Sequence, residues 1–187
     1  MIIQYFSANE KGFGSPRCRP AMTWQDAVID GLHRGGIDLV AYLPDSILGP
    51  LIEQLDTTDI ATVRVAREEA AVGLLAGAWL GGQRGALVCQ SSGLANCFNA
   101  LGSLAVPGGL PFLGLVSRRG DLGDYNRAQV PAGYAMPRLL DEIGVRNRLL
   151  DAGGDPTATV DLAAETAFAV NDPYVILLDP TLTGGKP

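Results

Sequence analysis

The stretch ATVRVAREEAAVGLLAGAWLGGQRGALVCQSSG (61–93) decides the fold class. ATVRV (61–65) alternates and reads as a strand. Residues 68–80 form a helix of small and apolar residues. ALVCQ (86–90) is a second strand, apolar throughout and closed by the turn residues SSG (91–93). The same rhythm extends in both directions. Thr23 and Asp26 have capping-box spacing at the head of a helix over 24–33, which Gly35 and Gly36 stop. LVAYL (39–43) is a buried strand, PDS (44–46) a turn, and 47–55 a helix. Beyond the central stretch come a helix over 94–105, the strand PFLGLV (111–116), a long loop over 117–134, helices over 136–143 and 161–170, and the strand YVILL (174–178). Short strands apolar on both faces, separated by helices, predict an α/β fold: a doubly wound, mostly parallel sheet with helices on both faces.

The totals narrow the possibilities. A chain of 187 residues with 47% hydrophobic content suits one domain with a full core. Gly, Pro and Ser in MIIQYFSANEKGFGSPRCRP mark 1–21 as a flexible extension to a single domain over 22–187, with Met22 a second candidate start. The net charge of −6 and the lack of a basic stripe argue against a nucleic-acid partner. No apolar run reaches membrane-spanning length, and the N-terminus lacks the order of a signal peptide. Cys18, Cys89 and Cys97 show neither CxxC nor framework spacing, so a cytoplasmic home is expected.

Ligands of open parallel sheets sit at the carboxyl ends of strands. That directs attention to PDS (44–46), REE (67–69), QSSG (90–93) and SRRGD (117–121). The sole histidine, His33, lies inside the first helix, which excludes a histidine-based triad or metal site. No GxGxxG or GxxxxGK[ST] occurs, so the usual phosphate cradles are missing. Gly73, Gly77 and Gly81 recur every four residues along one helix face, a close-packing surface for a helix, a sheet or a second subunit. Each costs about 1 kcal/mol against Ala in a helix interior, which tight packing would offset. Glu68 and Glu69 cannot form a carboxylate dyad, because helix neighbours point about 100° apart. At most one enters a given site. An acid in a first helical turn is favoured by the macrodipole and is commonly only solvated.

Four segments in order, LPDSILGPL (43–51), REEAAVGLLAGAWLGG (67–82), QSSGLANCFNAL (90–101) and LVSRRG…AQVPAG (115–133), resemble the pyrimidine-binding domain of thiamine-diphosphate enzymes. More narrowly, the chain resembles the alpha subunit of decarboxylases of the sulfopyruvate and phosphonopyruvate type. The family places its glutamate nine residues before the helix glycine, and counting back from Gly77 selects Glu68 over Glu69. The resemblance implies that Glu68 hydrogen-bonds a ring nitrogen of the cofactor's aminopyrimidine. It implies that Pro44, Asp45, Ser46, Ser92, Gly93 and Asn96 line the pyrimidine pocket, with Ala95 standing where the family carries a glycine. Asn96 also reads plainly as a helix-start residue satisfying backbone groups. Arg118 and Arg119 suit a phosphonate or sulfonate, and Gln129 is a further substrate contact; solvated loop arginines are the plain alternative. No metal ligand is assigned to this chain. The family's GDG signature for magnesium and diphosphate is not matched by RGDLGD (119–124) or GGDP (153–156). The resemblance therefore implies half an enzyme. Thiamine diphosphate and Mg2+ would be held with a separate beta subunit in a hetero-oligomer, acting on a small 2-oxo acid. A carboligase subunit with the same groups, or a non-catalytic subunit that kept the fold, are the alternatives.

Overall fold

The computed structural model describes residues 22–121 and 123–184. The expected extension over 1–21 and Cys18 within it lie outside the described residues. Six strands form one parallel sheet: β1 (Leu39–Tyr42), β2 (Ala61–Arg64), β3 (Gly85–Gln90), β4 (Leu113–Ser117), β5 (Arg146–Leu150) and β6 (Tyr174–Leu178). Their spatial order is β2-β1-β3-β4-β6-β5.

Side-chain alternation on the strands splits the core into two layers. Ala86 and Val88 face one way, and Leu87 and Cys89 the other. The first layer is covered by α1 (Trp24–Arg34), α2 (Gly49–Leu55) and α8 (Pro156–Val170). The second is covered by α3 (Glu68–Leu80), the helical run through residues 91–108, and α7 (Val130–Glu142). Both faces are dry, which is why the strands read as apolar runs. The chain passes from β1 to β2 over α2 on one face and returns to β3 over α3 on the other. Right-handed crossovers permit a reversal of direction only by changing faces. The reversal opens a crevice between the carboxyl ends of β1 and β3.

Helix ends follow local chemistry. Thr23 caps α1 in a full capping box with Asp26. Asp155 caps α8 with Pro156 in the first turn, so this helix starts five residues before the 161 expected from periodicity. α7 likewise begins at Val130, inside the stretch read as loop, and carries Pro137 internally. β5 was not expected at all: RNRLL exposes most of its side chains at the sheet edge, and its two arginines hide the strand pattern. SSG is not a free turn. Ser91 opens the short α4 (Ser91–Ala95), followed by α5 (Phe98–Ala100), a π-helical turn (Leu101–Ala105) and α6 (Val106–Gly108).

Close packing decides where helix glycines are required. α1 crosses α8 at Gly31, where a Cβ would fall 2.7 Å from Val160 Cβ and 2.8 Å from the Thr157 carbonyl oxygen. Gly73 and Gly77 on α3 are the opposite case, for a Cβ there meets nothing within 4 Å. The α3 glycine face is thus open in the chain, and sheet packing does not explain it. Gly31→Ala is expected to cost about 1–3 kcal/mol despite alanine's better propensity, whereas Gly73→Ala should gain about 0.5–1 kcal/mol. Denaturant unfolding of both variants checks this; a gain for Gly31→Ala or a loss for Gly73→Ala would contradict the packing assignment.

Candidate functional site

The crevice at the β1 and β3 carboxyl ends collects most of the residues singled out from sequence. Glu68 is the first residue of α3 and is half-buried. Its carboxyl lies against the buried Cα of Gly93 in α4: a Cβ at that position would overlap Glu68 Oε1. Glu69 turns away and pairs with Arg67, Oε1 to Nε at 3.1 Å, both largely exposed. The two acids thus diverge, as helical geometry requires.

Asp45 sits on the loop after β1 and accepts four hydrogen bonds. Oδ1 takes the backbone N–H groups of Ile47 at 2.9 Å and Leu48 at 3.0 Å, which turns the chain toward α2, and the Ser117 hydroxyl at 3.3 Å. Oδ2 takes Gln90 Nε2 at 2.8 Å, across the crevice from the end of β3. Gln90 Oε1 in turn accepts from the Ser92 hydroxyl and from Gln129 Nε2, the latter at 3.0 Å. Gln129 is the residue before α7, and its Oε1 is buried with no partner. Asp45, Ser92, Gly93 and Gln129 therefore belong to one constellation with Glu68. Pro44 and Ser46 stand exposed at its rim. Asn96 is exposed too, but it ends α4 rather than starting a helix, so the helix-start reading is corrected.

The arginines stand elsewhere. Arg118 and Arg119 leave β4 and line a separate cleft of about 930 Å³ with Ile47, Leu149, Tyr125 and Thr181. Arg119 is buried, and its guanidinium is bound on two sides by Asp124, Nε at 2.9 Å and Nη2 at 3.2 Å. Its backbone N–H donates to the buried Ser91 hydroxyl at 3.1 Å. Arg118 Nη1 reaches Asp121 at 2.7 Å and Asp179 at 3.5 Å, while its Nε is buried without a partner. Neither is the free cation that an anion clamp assumed. Arg119 in particular holds the loop after β4 in place.

Charge and burial tune the neighbouring groups. Hydrogen bonds from Arg119 hold the Asp124 carboxyl well below the ordinary carboxylate range, with the N–H groups of Gly120 and Asn126 adding and burial opposing. Burial pushes the Cys97 thiol up to about 12, and the charges of Glu68 and Glu69 add to it. Cys89, fully buried, is raised by burial first and then by Cys97, Glu68 and Asp45. Neither thiol is a nucleophile at neutral pH. Sequence reasoning gave no role to Gln90, Ser117, Asp124 or Asp179. Gln90 and Ser117 left a signal, each as the polar residue closing an apolar strand.

The chain is similar to known proteins. No protein-family profile matches the chain. It is 34% identical over 159 residues to the sulfopyruvate decarboxylase subunit alpha of Methanococcus maripaludis, covering 84% of this chain and 95% of that one. It is 33% identical over 167 residues to the phosphonopyruvate decarboxylase of Streptomyces viridochromogenes, covering 86% of this chain and 41% of that longer protein. A 2-oxoglutarate:ferredoxin oxidoreductase from Magnetococcus marinus superposes with a TM-score of 0.73 at 18% identity, over 87% of this chain and 29% of that one, which shows a shared fold.

The Asp124 pairing fixes a sign for pH dependence. A carboxyl depressed by folding contributes stability that is present above its unfolded value, about 4, and is lost as pH falls through the folded value. Asp124→Asn should therefore lower the denaturation midpoint most at neutral pH, the gap to wild type closing as pH drops below about 4. A gap that does not change with pH would contradict the assignment.

Proposed function

The chain belongs to the family of sulfopyruvate decarboxylase alpha subunits, and from that premise we propose that it is the pyrimidine-binding subunit of a thiamine-diphosphate-dependent 2-oxo acid decarboxylase. The substrate class is a pyruvate bearing a 3-sulfo or 3-phosphono group; the products are CO2 and an aldehyde. The observation that carries the reading is the placement of Glu68. One acid of the pair is turned inward onto a bare glycine at the switch-point crevice, while its neighbour is turned out to Arg67.

The residues present fit the cofactor's pyrimidine end. Gly93 leaves room for a carboxyl that any side chain would displace. The apolar wall of Val72, Leu94 and Cys97 behind the head of α3 supplies a dry setting. Glu68 would hold the ring nitrogen, with Ser92, Gly93, Asn96 and the 44–46 loop around the ring. When bound, thiamine diphosphate supplies the electron sink for loss of CO2. This chain orients the ring, keeps water from it, and holds a proton at the Glu68 carboxyl. For the anionic tail of the substrate, Arg118 is the better candidate of the two arginines. Its buried Nε has no acceptor.

Magnesium and the diphosphate fall to a separate beta subunit in this reading. The relative from Methanococcus is named a subunit alpha, and the Streptomyces protein continues well beyond the matched region in a single chain. A docking face is open for such a partner. α3 presents Gly73, Gly77 and Leu80, the last 78% exposed, beside Gly102 and Leu104 of the π-helical turn. Among the described residues no helix is long and apolar enough to cross a membrane, and we place the enzyme in the cytoplasm.

Co-expression with the neighbouring gene's product, followed by assay of sulfopyruvate, phosphonopyruvate and pyruvate, tests this. Glu68→Gln should lower kcat by about 100-fold or more with assembly intact, while Glu69→Gln stays near wild type. Gly77→Leu should leave the isolated chain folded yet prevent co-purification. Equal turnover in wild type and Glu68→Gln would overturn the catalytic assignment.

A further inference from the structure

Gln90 is the centre of the crevice network, yet no part of the functional reading uses it. Its amide can be oriented only one way. Reversed, its oxygen would face Asp45 Oδ2 and its nitrogen would face the nitrogen of Gln129, pairing acceptor with acceptor and donor with donor. Asp45, whose two oxygens already accept from Ile47, Leu48, Ser117 and Gln90, therefore dictates where the Gln90 oxygen points. That oxygen consumes the single hydroxyl proton of Ser92 and one N–H of Gln129. What remains is the lone pairs of Ser92, the orphaned Oε1 of Gln129 and one further N–H on each amide.

We propose that Gln90 is a positioning residue: held by Asp45, it turns Ser92 and Gln129 so that this rim of the crevice meets a ligand with hydrogen-bond acceptors. A ligand N–H group is satisfied there. Carboxylate, sulfonate and phosphonate oxygens would face mainly lone pairs there, and are left to the separate cleft on the Arg118 side of β4. The chain thereby separates the crevice that takes an amine-bearing ring from the cleft that takes an anion. This inference rests on the functional reading above for the identity of the ring.

The test uses Gln90→Glu. A protonated carboxyl reproduces the amide, donating to Asp45 and accepting from Ser92 and Gln129; an ionised one sets two like charges together, which raises the pH at which the pair releases its proton. The other titratable and charged groups around the position are Glu68 at the head of α3, Cys89 behind it in β3, and Arg118 and Arg119 beyond Ser117 on β4. Because these are present in wild type too, the quantity read is the ratio of variant to wild type. Binding of thiamine diphosphate with magnesium is measured by calorimetry on the co-purified complex, alongside melting of the isolated chain and carboxyl-carbon NMR titration of it.

Q90E should bind within about threefold of wild type near about pH 5.5 and roughly tenfold or more weakly near about pH 8. The loss should follow the raised titration seen by NMR. Q90M should bind weakly at both, with the isolated chain still melting cooperatively and no more than about 10 °C below wild type. Q90M combined with Ser92→Ala and Gln129→Met should be no weaker than the Ser92→Ala, Gln129→Met pair alone, because Gln90 acts through those two residues. Q90E affinity that tracks wild type at every pH, or a further loss when Q90M is added to that pair, would overturn the inference and leave the functional reading standing. Failure of the wild-type complex to bind thiamine diphosphate would overturn both.

Discussion

The approach of the Glu68 carboxyl to the bare Cα of Gly93 is the contact on which the site depends. It needs three things at once. α3 must start at Glu68, so that this acid and not Glu69 faces the crevice. α4 must start at Ser91, directly after β3, so that Gly93 comes under the carboxyl. β1 and β3 must be neighbours, so that the loop after β1 closes the other wall. The sheet order provides the last condition through the reversal between α2 and α3, and the helix starts provide the first two. A side chain at Gly93 would collide with the Glu68 carboxyl and push it out of this position.

Around that contact the polar groups are arranged as a network with fixed polarity. Asp45 spends its carboxyl oxygens on turning its own loop and on Gln90, so loop geometry and ligand-facing polarity are set by the same residue. Leaving any of these buried donors unmet would cost about 1–3 kcal/mol, which makes the loop after β1 rigid where the site needs it to be. The acidic partners of Arg118 and Arg119 act in the same sense, tying the loop after β4 to β6 and to itself.

Strands and helices with two dry faces were legible because burial on both sides writes uninterrupted apolar runs; β1, β3, β4 and β6 are of this kind. β5 was not, because an edge strand needs little apolar character, and Arg146 and Arg148 mask it. The early starts of α7 and α8 were hidden because their first turns, VPAG and PTAT, hold proline with small or polar residues and write no apolar stripe, although Asp155-Pro156 carried a cap signal. The choice of Glu68 over Glu69 came from helix geometry and family spacing together. Gln90 and Asp124 were given no role, although QSSG and RGDLGD contain them, because their importance lies in partners distant in sequence or folded back from a loop. The open glycine face of α3 was legible as a face but not as an exposed one. Spacing gives periodicity, whereas vacancy opposite it is a property of the whole fold.

The central claim is that one carboxyl of this chain meets a cofactor whose other end a different chain holds. A crystal structure of the co-purified complex with thiamine diphosphate and magnesium tests it most directly. The account predicts Glu68 at a hydrogen-bonding distance of about 3 Å from a pyrimidine ring nitrogen, with the ring beside Gly93 and the α3 glycine face covered by the second chain. A pyrimidine ring bound away from Glu68, or that glycine face open to solvent in the complex, would contradict it.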